Sequence, residues 1–356
     1  MAASAASSTR GHHESPPRDS WDSMLPGPPS RDNGGGCADL SAAGLLAYGA
    51  GSSVVVADPR SMQLVSVLPM PAPSRAGGSS PSSGLAPFVT SVRWTPQPLP
   101  RDLLALDEPS TSHLRLAVGD RQGRIAIWDF RFRRVLLWLE FDASFSSSSS
   151  SSDRVKLGVQ DLCWVRSDCW ILASISGPSL VALWDTASGR CIWKYDASPE
   201  FLSCLRRDPF DARHFCTVGL RGFMLSAKVL GGRTGQDIDV FLKEHQVPGA
   251  VGDLAELQRI EREALSSGTA SASAPAFAVF PHPLVRFCFS RLWRHILLVT
   301  FPREMILFDL QYGTSLSCMS MPRGCGKIMD VIADPDEDLA YCVHLDGKLS
   351  TWKRKK

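Results

Sequence analysis

The sequence lacks several features that would each point to a particular class of protein. Its 356 residues carry a net charge of only +2, so it has no strong field of one sign to attract nucleic acid or an anionic membrane. Its ten cysteines include no CxxC pair and no Cys/His cluster at zinc spacing, and no signal peptide core is visible. We therefore expect reduced, mostly buried thiols in a cytoplasmic protein.

Long hydrophobic runs and enzyme motifs are also scarce. The most apolar stretch, residues 296–301, is much shorter than the ~20 residues of a membrane-spanning helix. Gly-Cys-Gly-Lys at 324–327 lacks the first glycine and the final Ser or Thr of a phosphate loop, no Gly-x-Ser-x-Gly motif occurs, and the histidines are scattered. We predict no catalytic residues, no cofactor, no metal site and no small-molecule substrate.

Four stretches are too polar, or too rich in Ser, Pro and Gly, to bury a core, and we expect them to be mobile. They are an amino-terminal arm at 1–39 and inserts near 69–87, 142–153 and 231–275. The last insert contains one helical pattern, in which Asp253 can cap a short helix with Leu254, Leu257 and Ile260 on one side. A basic tail, 354–356, closes the sequence, and a solvated terminus explains it best.

The rest of the sequence, 40–353, consists of short alternating strands that repeat. Two of them end in Trp-Asp, at Trp128-Asp129 and Trp184-Asp185, and a turn glycine such as Gly123 stands five residues before the aromatic position. Each aromatic position also follows an earlier strand at a fixed distance, which is 21 or 22 residues in four units. Unrelated strands would not keep this spacing, so we infer one repeating structural unit.

Six units can be counted, and the sixth stops after its third strand. The predicted repeat positions are Val56, Asp58, Trp128, Asp129, Trp184, Asp185, Ala227, Phe308, Asp309 and Trp352. A unit of ~40–45 residues is typical of a four-stranded WD repeat, so we predict an all-β WD-repeat β-propeller that is incomplete. We expect the aromatic residues to pack between neighbouring sheets rather than to form a ligand site.

Several segments resemble the first propeller of the WD repeat-containing protein 11 family. They are LLAYGAGSSVVVAD, LRLAVGDRQGRIAIWD, DPFDARHF and FPREMILFDL, and the similarity runs from about Leu40 to Lys353, with serine-rich inserts like those of a plant version. The resemblance implies a non-catalytic scaffold in a multi-subunit complex that captures endosome-derived vesicles at the trans-Golgi network. The second propeller and the helical region of that family are absent from this sequence.

Two functions remain open at this stage. One is a protein-binding scaffold in vesicle traffic, located in the cytoplasm and peripherally at the trans-Golgi network or vesicles. The other is a nuclear or chromatin-associated WD-repeat adaptor, which the basic end 353–356 and the serine-rich arm favour. In both cases the partners are other proteins, with no nucleic acid and no membrane insertion. A propeller alone does not separate the two, because a fold does not determine a function.

Overall fold

The computed structural model describes residues 37–71, 87–96, 114–141, 158–166, 170–231, 238–249 and 285–353. These ranges contain 23 strands and no α-helix. Within them, no helix is long and apolar enough to cross a membrane. The predicted helix after Asp253, the tail 354–356, and most of the predicted arm and inserts lie outside the described residues.

The strands form six antiparallel sheets, numbered here in chain order. Sheet 1 contains β1 (Ala38–Leu40), β2 (Leu46–Ala50), β3 (Ser53–Asp58) and β4 (Gln63–Pro69). Sheet 2 contains β5 (Val89–Trp94), β6 (Arg115–Asp120), β7 (Ile125–Asp129) and β8 (Arg134–Leu139). Sheet 3 contains β9 (Val159–Arg166), β10 (Trp170–Ser176), β11 (Leu180–Asp185) and β12 (Arg190–Asp196).

The second half of the chain continues the pattern. Sheet 4 contains β13 (Leu202–Arg207), β14 (His214–Gly219), β15 (Phe223–Gly231) and β16 (Ile238–Gln246). Sheet 5 contains β17 (Arg286–Phe289), β18 (Ile296–Phe301), β19 (Glu304–Asp309) and β20 (Thr314–Ser320). Sheet 6 has three strands, β21 (Ile328–Ala333), β22 (Leu339–His344) and β23 (Leu349–Lys353). The predicted all-β fold of six antiparallel units is confirmed, and within the described residues the sixth unit contains three strands.

Alternation along each strand gives every sheet two apolar faces. In β7, Ala126 and Trp128 belong to the cluster shared with sheet 1, whereas Ile125 and Ile127 belong to the cluster shared with sheet 3. Five such clusters of buried side chains join the six sheets, each between sheets that are consecutive in the chain. Among the described residues, no equivalent cluster joins sheet 6 to sheet 1. The sheets thus stack side by side like propeller blades.

Two predicted boundaries differ from the structure. Strand β1 begins at Ala38, inside the predicted arm 1–39, and β16 lies inside the predicted insert 231–275. Averaged over 231–275 the composition is polar, and this average conceals the alternation in β16. Its apolar residues Ile238, Val240 and Leu242 are half-buried against the cluster between sheets 3 and 4. A nine-residue strand is therefore part of the fold rather than of the insert.

Candidate functional site

The first strands of successive sheets lie next to one another at the centre of the propeller. In the first strands of sheets 2 to 6, every second side chain faces away from the cluster shared with the preceding sheet. Six charged residues occupy such positions, and we call them the central charge cluster. They are Asp39, Arg93, Asp161, Arg206, Arg286 and Asp330.

Asp161 of sheet 3 is the acceptor that connects three sheets. Arg93 Nη2 of sheet 2 donates to its Oδ1 at 2.8 Å, and Arg206 Nη1 of sheet 4 donates to its Oδ2 at 3.1 Å. The backbone N–H of Leu205 also donates to Oδ2, at 2.9 Å. Burial is the largest influence and raises the pKa of this carboxyl, but the charges of Arg93, Arg206 and Arg286 and the Leu205 hydrogen bond together hold its pKa below the usual value. Asp161 is therefore an ionised carboxylate, and both of its oxygens accept hydrogen bonds.

Arg286 of sheet 5 is as deeply buried as Asp161, with 1% of its surface exposed. Its Nη1 donates to the carbonyl oxygen of Ser203 at 3.5 Å, whereas Nε and Nη2 have no hydrogen-bond partner within the described part of the chain. Its charge also lowers the pKa of Asp161. In sheet 1, burial raises the pKa of Asp39, and the charge of Arg93 partly offsets this. Three arginines face three aspartates, so the cluster is close to neutral.

Two cavities lie near sheet 6. The first, about 350 Å³, opens beside the central charge cluster between the first strands of sheets 1 and 6, and its charged lining includes Arg206, Arg207 and Arg291. The second, about 380 Å³, is a mostly apolar groove between sheets 5 and 6, where Met305 and Trp352 line the wall. In the first cavity Cys288 lies near Asp330, and burial together with that negative charge raises the pKa of the thiol.

The thiols near the centre are not reactive groups. Burial raises the pKa of Cys163 to about 11 and that of Cys288 to about 12. Both therefore stay protonated at neutral pH, and a thiol is a much weaker nucleophile or metal ligand than a thiolate. Within the ranges that the structure covers, no three His, Cys, Asp or Glu side chains are grouped so that they could hold a metal ion.

The predicted repeat aspartates all start the turn between the third and fourth strands. Asp58 accepts a hydrogen bond from the backbone N–H two residues later at 2.9 Å, and Asp129 does the same at 3.0 Å. Asp185 and Asp309 repeat the contact at 2.9 and 2.8 Å. Such turns use the carboxylate to satisfy local backbone donors. These residues are therefore turn residues, spread over four sheets and not assembled into one site.

The predicted aromatic positions lie in the cores between sheets. Trp184 is fully buried between sheets 2 and 3, and its Nε1 donates to Ser174 Oγ at 2.9 Å. Trp128, Ala227, Phe308 and Trp352 likewise face the preceding sheet. In sheet 1 the residue before the turn aspartate is Ala57, and Val56 lies one position earlier, on the face toward sheet 2.

One hydrogen-bonded chain was not predicted from the sequence. In sheet 4, His214 Nδ1 contacts Asp208 Oδ2 at 2.8 Å, and His214 Nε2 contacts Ser226 Oγ at 2.8 Å. The order Asp–His–Ser is that of a hydrolase triad, but none of the three side chains lines either cavity. The sequence feature that could have indicated this chain is the Asp-Pro turn at 208–209 with a histidine six residues after the aspartate.

Sheet 6 contains a similar chain. There, His344 Nε2 contacts Ser350 Oγ at 2.7 Å, and Trp352 Nε1 donates to the same oxygen at 2.9 Å. Since both chains connect neighbouring strands of one sheet, we interpret them as structural ties.

Six sheets of consecutive antiparallel strands around a shared centre, with Trp-Asp at the end of the third strand in sheets 2 and 3, define a WD-repeat β-propeller. The family described as WDR11 first beta-propeller matches residues 27–356. Because this match covers most of the chain, the chain belongs to that family.

The chain is also similar, at low identity, to named members of this family. The chain is 24% identical to WD repeat-containing protein 11 of Mus musculus over 324 residues and 23% identical to that of Homo sapiens over 319 residues. Each alignment covers 88% of this chain but only 23% of the relative, so the chain spans about a quarter of its relatives' length.

A solved structure shows the same fold. It is titled "Crystal Structure of Mitotic Checkpoint Complex", and one of its chains aligns with a TM-score of 0.57 at 14% identity. The alignment covers 100% of this chain and 85% of that one. At this identity the likeness concerns the fold alone.

Proposed function

We propose that this protein is a non-catalytic scaffold in a multi-subunit complex that captures endosome-derived vesicles at the trans-Golgi network. The observation that carries the proposal is the match of residues 27–356 to the first propeller of the WDR11 family. A WD-repeat propeller suits a protein-interaction scaffold, because its sheets hold many surface turns in fixed positions where partners can bind.

The distribution of buried and exposed groups supports a scaffold. Buried polar groups bond within the fold: Asp161 bonds to a neighbouring sheet, and His214 bonds to the next strand of its own sheet. The outer surface instead carries large apolar side chains, including Phe241 on β16 and Leu316 on β20, which are 61% and 51% exposed. Aromatic side chains such as Phe241 are enriched in protein interfaces relative to the rest of the surface.

Imaging of the tagged protein in living cells, with a trans-Golgi marker, tests the proposal. We expect perinuclear puncta that overlap the marker. A diffuse nuclear signal would contradict vesicle capture and would support the nuclear adaptor instead.

A matched variant separates a true nuclear function from import driven by the basic tail alone. In this variant Arg354, Lys355 and Lys356 are replaced by alanine. If nuclear signal disappears in this variant and the puncta return, the tail alone caused the import.

A further inference from the structure

The cavity beside the central charge cluster has an excess of positive charge in its lining. Its volume is about 350 Å³, and four arginines and two aspartates line it. They are Arg93, Arg206, Arg207, Arg291, Asp39 and Asp330. Burial raises the pKa of Asp39, so a negative charge on that carboxyl is less favourable there than in water. With all six groups ionised, the lining has two more positive than negative charges.

The charges that adjoin the lining do not reverse this excess. Asp161 and Arg286 are both 1% exposed and carry opposite charges, so together they contribute no net charge. Asp208 and Asp334 follow lining residues in the sequence, and the oxygens of both are in contact with groups of their own sheets. These two acids therefore serve their own turns.

Two arginines have hydrogen-bond donors left over. Arg206 bonds to Asp161 and to the carbonyl oxygen of Leu205 through Nη1, and its Nε and Nη2 make no hydrogen bond within the described residues. Nε and Nη2 of the buried Arg286 are likewise without an acceptor there. Arg286 lies on the same face of β17 as Cys288, which lines the cavity. Buried donors without acceptors cost free energy, so an anion at this place would stabilise the fold.

We propose that this cavity, which we call the central anion site, binds the phosphate group of a small phosphorylated sugar or polyol. A phosphate monoester carries a charge of about −1.5 to −2 at pH 7, which matches the excess in the lining. Guanidinium groups bond phosphate oxygens in pairs. The arginines that line the cavity come from β5, from β13 and from the turn after β17, so one phosphate group would join three sheets.

The rest of the lining suits the organic part of such a molecule. The carboxylates of Asp39 and Asp330 accept hydrogen bonds from hydroxyl groups, which a sugar or polyol supplies. The volume also lies within the range of small-molecule sites, about 300–1,000 Å³. A free phosphate ion would leave both carboxylates and much of the cavity to water. The lining therefore favours the ester over the ion.

Titration calorimetry of the purified protein, dialysed free of phosphate, tests the proposal with three probes. They are inorganic phosphate, glycerol 3-phosphate and glucose 6-phosphate. We expect one molecule of the tighter ester per chain, with a Kd at least about threefold below that of inorganic phosphate. Because only the folded propeller brings these arginines together, the ester should also raise the Tm.

Four variants assign the binding to the cavity. Arg291→Gln and Arg207→Gln each remove a charged donor from the lining and should weaken binding about tenfold or more. Arg190→Gln, at an exposed arginine of β12 outside the lining, is the matched control and should bind like the parent. Asp330→Asn removes a negative charge and should tighten the binding of inorganic phosphate about threefold or more. Arg291 is exposed, so its replacement should leave the Tm without ligand unchanged.

Several results would overturn the proposal. One is the absence of heat and of any rise in Tm with all three probes at about 10 mM. An equal loss of affinity in Arg190→Gln and Arg291→Gln would indicate unspecific attraction to the surface. Unchanged or weaker phosphate binding in Asp330→Asn would contradict the charge argument. Tighter binding of inorganic phosphate than of either ester would restrict the site to the free ion. Binding only to vesicles of phosphatidylcholine with phosphatidylinositol 4-phosphate would make the ligand a membrane headgroup instead.

Discussion

Replacing Asp161 by asparagine tests how the sheets are held together at the centre of the propeller. The side chain is 1% exposed and accepts hydrogen bonds from Arg93, Arg206 and the backbone of Leu205. Asparagine keeps the shape and one acceptor oxygen, but it removes the negative charge. The guanidinium groups of Arg93, Arg206 and the buried Arg286 would then face one another without this counter-charge.

The expected loss is large because the remaining charges are poorly solvated. Removing one partner of a buried ion pair typically costs ~3–5 kcal/mol, since the other partner stays buried and uncompensated. The side chains of Arg93 and Arg206 are 14% and 24% exposed, so partial solvation places Asp161→Asn toward the lower end, about 3 kcal/mol. The loss should affect sheets 2, 3 and 4 together, because Asp161 contacts all three.

Urea unfolding at pH 7, followed by circular dichroism, measures this free energy. The folded-state pKa of Asp161 is lowered. Its contribution to the free energy of unfolding is therefore fully present above its unfolded-state pKa, about 4, and is lost as the pH falls through the lower folded-state pKa. The difference between parent and variant should persist down to about pH 4 and shrink at lower pH.

Asp58→Asn, at an exposed turn, is the control and should unfold like the parent. A variant within about 1 kcal/mol of the parent at pH 7 would refute the reasoning.

Three further predictions concern the core, the turns and the thiols. Trp184→Ala and Trp128→Ala should each cost about 3–5 kcal/mol in urea unfolding, and a variant that unfolds like the parent while losing a partner would assign that ring to a binding surface. Gly222→Ala should lower the Tm more than Gly44→Ala, although both glycines have φ above +80°, because only at Gly222 would the added Cβ meet a backbone oxygen, that of Val247. Equal shifts would contradict this explanation. Iodoacetamide at pH 8, mapped by mass spectrometry, should label the exposed Cys318 before the buried Cys163 and Cys204, and the reverse order would contradict the burial of the central thiols.

The sheets were predictable from the sequence because turns and alternation are local signals. Gly123, Gly222 and Gly347 have φ between +80° and +85° in the turns between second and third strands, a conformation that favours glycine. The fixed distance between strands then revealed the repeat even where Trp-Asp is not kept, as in sheet 4. In sheet 1 the same spacing pointed to Val56, because Gly51 is the first of two turn residues whereas Gly123 is the last of three, so the residue before the aspartate is Ala57.

The central charge cluster could not be predicted in the same way. Arg93 and Arg206 are 68 and 45 residues from Asp161 in the sequence. In each strand they look like ordinary polar residues of an alternating pattern. Only the stacking of successive sheets brings them together, and that arrangement depends on long-range packing rather than on any local motif. The sequence likewise does not indicate that Leu349 of β23 is 64% exposed, because LSTWK has the same alternation as the other third strands.

We propose above that this propeller acts within a complex of several proteins. Size-exclusion chromatography of a gentle cell extract, with the endogenous protein detected by antibody, tests it most directly. A tagged copy expressed beside the endogenous protein shows whether self-association alone explains a large size. We predict elution well above the mass that the same protein shows on a denaturing gel, in fractions that contain other proteins purified with it. Elution as a free monomer, or as an oligomer of this chain alone, would contradict the account.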